Sequence, residues 1–149
     1  MILVPTLSSS RPFDRASILN NLGLLYSHNR MYAKAEEMFF EAFKLHQIDR
    51  DTITGMGHYA SYASLLKNIS ELLYEELSVG WDENKYKQAL YYADLALAEF
   101  MRHGGYYDLD YAVGLHNKAD ILSLAKSCTA FYNGIVRTGV NLPVQIMGI

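Results

Sequence analysis

Three asparagines carry the chemistry that this chain suggests first. Asn21, Asn68 and Asn117 stand at equivalent places in three copies of one pattern of residues. A carboxamide has donors and acceptors, so it can pair with the backbone of an extended peptide whatever that peptide's side chains are. The other reading is that each asparagine bonds to a neighbouring helix and only fixes how helices stack. Both readings stand at the level of sequence.

Other candidates for chemistry are poorer. His28, His46, His58, His103 and His116 are scattered, and no pair has metal-ligand spacing supported by carboxylates or cysteine. Cys128 lies in no nucleophile motif and reads as a buried thiol. Glu36-Glu37 and Glu75-Glu76 read as solvated helix faces. Asn68-Ile69-Ser70 spells a glycosylation acceptor, but inside a predicted helix. No glycine-rich phosphate loop is present. The expectation is a non-enzyme with no metal and no cofactor.

Composition sets the outer bounds. Half of the 149 residues are hydrophobic and 19% are charged, so the chain can bury a core. A net charge of −3 offers no electrostatic reason to expect nucleic acid or an anionic membrane. The single cysteine excludes an internal disulfide and points to a reducing compartment. No apolar run reaches the length of a membrane span, and the N-terminus lacks the basic segment of a signal peptide. The cytoplasm is the default expectation.

The elements that would position the asparagines are helices. Ile18, Leu19, Leu22, Leu25 and Tyr26 recur at helical spacing, with Asp14 as a candidate N-cap. Asn29 and Arg30 make a turn. A second helix is predicted from about Met31 to Gln47, a third through to about Leu77, and an alanine-rich fourth ending at Gly104-Gly105. Asp108 can cap a fifth, which Gly134 should stop. The expected division is a leader over 1–13, a helical repeat domain over 14–133, and an irregular tail over 134–149 in which a short edge strand could form.

The copies align residue by residue. Leu19, Asn21, Leu22, Gly23 and Tyr26 match Leu66, Asn68, Ile69, Ser70 and Leu73, then Leu115, Asn117, Lys118, Ala119 and Leu122. Tyr32, Ala35, Phe39 and Ala42 match Tyr86, Ala89, Ala93 and Ala96. The second copy carries extra residues between its helices, around Glu75 to Asn84. The third has no recognisable second helix. Small residues at 23, 70 and 119 should let a neighbouring helix come close. A helix pair of this size cannot bury its apolar face alone and must stack on another.

This pattern resembles the tetratricopeptide repeat, in the longer-period form seen in kinesin light chains. The resemblance rests on Leu22-Gly23, Tyr26, Tyr32, Ala35, Phe39 and Ala42, and covers roughly residues 14 to 127; Gln47 stands where the family usually has proline. It implies an all-α solenoid of antiparallel helix hairpins, about five helices with an irregular C-terminal tail. It implies a concave groove lined by the first helix of each copy: Ser17, Asn20, Asn21, Leu24 and Ser27, then Ser64, Lys67, Asn68, Glu71 and Tyr74, then Val113, His116, Asn117, Asp120 and Ser123. The candidate partner-binding residues are Asn20, Asn21, Leu24, Lys67, Asn68, Glu71, Tyr74, His116, Asn117 and Asp120. In related repeats such an asparagine ladder holds the ligand chain. The implied function is an adaptor or scaffold that binds a peptide or partner protein. The alternatives are a structural or self-associating piece or cap of a longer array, joined through the incomplete third repeat, and a regulatory peptide-sensing domain. The clustered tyrosines are expected mostly at the seams between repeats, with Tyr62 and Tyr74 left open.

Overall fold

The computed structural model describes residues 12–49, 56–105 and 108–138. These form five helices: α1 (Pro12–His28), α2 (Tyr32–Asp49), α3 (Met56–Val79), α4 (Glu83–His103) and α5 (Leu109–Thr138). The chain is all-α, and no strand occurs among the described residues. The leader up to residue 11 and the tail from 139 lie outside them, as does the edge strand considered for that tail.

Local chemistry sets the ends. Pro12 opens α1, where a missing N–H costs no helical bond. Asp14 therefore sits in the first turn rather than at the cap. Arg30 takes a left-handed φ of 58°, and Asn29 closes α1 by donating its Nδ2 to the Leu25 carbonyl at 2.7 Å. Asp82 caps α4, its side chain accepting the Lys85 N–H at 2.9 Å. Asp108 accepts the Asp110 N–H at 2.8 Å at the start of α5.

The extra residues of the second copy lie around the junction of its helices as expected, with α3 ending at Val79 and α4 starting at Glu83. One expectation changes. Gly134 does not stop α5, which runs on to Thr138. A Cβ at 134 would meet nothing within 4 Å, so this glycine weakens the helix only through propensity. The start of the expected irregular tail is thus helical.

The helices stack in chain order. α1 pairs with α2 and α3 with α4, while α2 meets α3 and α4 meets α5. The first helices also run side by side, α1 touching α3 and α3 touching α5. α3 is therefore enclosed, and Leu65, Leu66, Ile69, Leu72 and Leu73 are all fully buried. One core runs from Ala16 through Phe39 and Leu73 to Ile121. Rings join α2 to α4: Phe40 and Phe43 both meet Tyr92 edge-on, at 5.9 and 5.8 Å.

The small position of the first copy acts as expected. A Cβ on Gly23 would enter the ring of Phe39, so α1 and α2 can approach this closely only with glycine there. Ser70, its counterpart in α3, is fully buried. Ala119, its counterpart in α5, is exposed, because no helix among the described residues covers that side.

Candidate interaction surface

The three aligned asparagines occupy three different environments. Asn21 is exposed on α1. Asn68 is buried on α3 and donates its Nδ2 to the Oδ1 of buried Asn20 at 2.9 Å. This bond ties α1 to α3, and it takes both residues out of a free groove surface. Asn117 on α5 is half-buried, and its Nδ2 is shielded from solvent with no hydrogen-bond partner. Register supplies the reason. The residue of α3 that matches Asn20 is Lys67, whose ammonium has donors and no acceptor. A shielded amide without an acceptor is unusual and costs free energy.

Two ion pairs lie at matching places on α3 and α5. Lys67 meets Glu71 at 3.7 Å, and His116 Nδ1 meets Asp120 at 3.0 Å. Each spans one turn of its helix, and the second is ionic only when the imidazole is protonated. The α3 pair is therefore locally neutral, and the α5 pair is so only with His116 protonated. His116 is exposed, and Lys67, Glu71 and Asp120 are half-buried. Leu24 and Tyr74 instead pack against the core. Of the ten predicted residues, six keep an accessible polar group on one surface or a polar atom without a partner: Asn21, Lys67, Glu71, His116, Asn117 and Asp120.

Other side chains depart from expectation. Glu36 and Glu76 are not on solvated faces. Lys85 of α4 bonds the Glu76 carboxylate of α3 and lies 3.9 Å from Glu36 of α2, linking three helices. Burial first, then the Glu76 charge, push the Glu36 carboxyl above its ordinary range, against the pull of Lys85. Burial works against the Lys85 ammonium, but the hydrogen bond and charge of Glu76 outweigh it and raise its pKa. Sequence offered no signal for this cluster, because its members come from three helices and Lys85 lies just past the insertion. Cys128 is half-buried rather than enclosed. Tyr62 hydrogen-bonds Gln47 at 3.0 Å and packs on Phe43 and His46, which makes it a seam residue. Tyr106 and Tyr107 lie outside the described residues.

An open cleft of about 560 Å³ lies between Trp81 and Tyr86 at the start of α4 and Leu122, Lys126 and Asn133 along α5. It exists because α5 runs on past the first turn of α4, and the sequence reading missed it. Among the described residues no group of three or more His, Cys, Asp or Glu side chains could hold a metal ion, and no helix is long and apolar enough to cross a membrane. No protein-family model matches the chain, and neither a curated protein nor a solved structure matches it.

Proposed function

We propose that this chain is a non-catalytic adaptor that binds an extended segment of a partner protein across α1, α3 and α5, on the face bearing Asn21, Lys67, Glu71, His116, Asn117 and Asp120. The observation that carries this reading is Asn117. Its Nδ2 lacks an acceptor among the described residues, and a rotation of this half-buried side chain toward solvent would let a backbone carbonyl of a bound peptide supply one. Asn21, exposed on α1, would hold the same strand at its other end. The paired charges of α3 and α5 favour a polar segment of mixed sign over a strongly acidic or basic one. The sequence resemblance to tetratricopeptide repeats supports the same function, since that family binds peptides on its first helices.

The test is a random peptide display library selected on the full chain. The peptides recovered should lose about tenfold in affinity, roughly 1.4 kcal/mol, against an Asn21→Ala/Asn117→Ala variant with unchanged helix content. Peptides that bind that variant as well as the parent chain would overturn the reading.

A further inference from the structure

The outward stripe of α5 repeats a pattern that is covered everywhere else in the fold. Ala16, Leu19 and Gly23 of α1 are buried against α2, and Ala63, Leu66, Ser70 and Leu73 of α3 are buried, three of the four completely. The matching residues of α5 are Ala112, Leu115, Ala119 and Leu122. All four are exposed, Leu115 at 46% and Leu122 at 39%. They are separate from the His116, Asn117 and Asp120 surface. The equivalent stripes are each covered by an antiparallel helix, so a helix is the shape that fits here.

We propose that the helix is α5 of a second copy, packed antiparallel. The stripe Asp108, Ala112, Leu115, Ala119, Leu122 and Lys126 has the alternating three- and four-residue spacing of a helix–helix seam. It is complementary to itself when reversed. Ala112 then faces Leu122 and Leu115 faces Ala119, each contact occurring twice about a two-fold axis, and Lys126 of each copy comes to the start of the other's α5, where Asp108 already accepts the Asp110 N–H. Large residues meet small ones in every apolar layer, as Phe39 meets Gly23 within the chain. Lys126 is exposed and has no ion pair among the described residues. A parallel pairing would set Lys126 against Lys126 and large residues against large ones, so charge and shape both favour the antiparallel one.

The seam from Asp108 to Lys126 is about 28 Å long on a helix about 12 Å wide, and buries on the order of 700 Å² over two copies. That is below the roughly 1,200 Å² where standard interfaces begin. The dimer is therefore weak, with a dissociation constant at or above about 1 μM.

Sedimentation of the full chain from micromolar to millimolar concentration tests this. A reversible dimer is expected, and Ala119→Lys, which places a charge at the centre of the seam on an exposed position, should weaken it by about tenfold or more with helix content retained. A spin label on Lys126→Cys in a Cys128→Ser background then reads the orientation. The antiparallel register places the two labelled sites about 27 Å apart along the helix axis, whereas a parallel pair places them side by side. A monomer at every concentration overturns the proposal. So does a dimer indifferent to Ala119→Lys, or one with adjacent labels.

Discussion

Asn68 donates to Asn20 across the α1–α3 boundary at 2.9 Å, both side chains buried. Two residues that could have bound a ligand instead fasten one repeat to the next. A bond between two buried amides is worth more than its net energy suggests, because removing one partner strands the other in a place water cannot reach.

Asn68→Ala should accordingly destabilise the chain by about 1–3 kcal/mol. That lowers the melting temperature by about 2–4 °C for each kcal/mol in a domain of this size. Thermal denaturation followed by circular dichroism is the measurement. The Asn20→Ala/Asn68→Ala double variant should lose less than the sum of the two singles. Strict additivity would show that the pair is not coupled.

Gly23→Ala pits two effects against each other. Helix propensity alone would gain up to about 1 kcal/mol. Overpacking against the Phe39 ring costs about 1–3 kcal/mol. The clash wins, so urea denaturation should give a less stable protein, and Phe39→Leu in the same chain should recover part of the loss. A stabilised Gly23→Ala variant would mean that α1 and α2 lie further apart.

The Lys85 cluster makes stability depend on pH. Glu36 holds its proton more tightly folded than unfolded, so its contribution is greatest below its ordinary 4.5 and is lost as pH rises through the raised folded value. Lys85 stabilises the fold below its ordinary 10.5 and ceases to do so as pH rises through its raised folded value. Glu36→Gln should flatten the stability profile just above pH 4.5. Lys85→Ala at pH 7 should cost about 1–2 kcal/mol, since it leaves Glu36 and Glu76 facing each other without a cation. Denaturant midpoints measured across pH decide both points.

Gly134→Ala should stabilise α5, by up to about 1 kcal/mol, because the position is helical and open. Hydrogen exchange across 127–138 should slow. Unchanged exchange there would place the end of the helix before Gly134.

Much of the fold was legible because it is local. The turn at Asn29-Arg30, the cap Asp108, and the glycine stop at Gly104-Gly105 depend on a few neighbouring residues, and periodic leucines and alanines mark each helix. Gly134 misled because a glycine signals a stop only where the chain gains something by turning. At the candidate surface, alignment placed His116 beside Asp120 and Lys67 beside Glu71 on one face, one turn apart. It treated Asn20 and Asn68 as groove residues because periodicity names a face and not what lies against it.

The sequence by itself determined five helices, their order, and the small positions that let them pack. Those properties follow from backbone propensity and spacing within one helix. Only the tertiary structure decided that Asn68 is spent on Asn20, that Asn117 is left without an acceptor, and that Glu36 and Glu76 share Lys85. It also decided that the stripe from Ala112 to Leu122 is bare while its copies in α1 and α3 are covered. The physical reason is the same throughout. A residue type states what a side chain can bond, and only the approach of distant helices states which bond it makes.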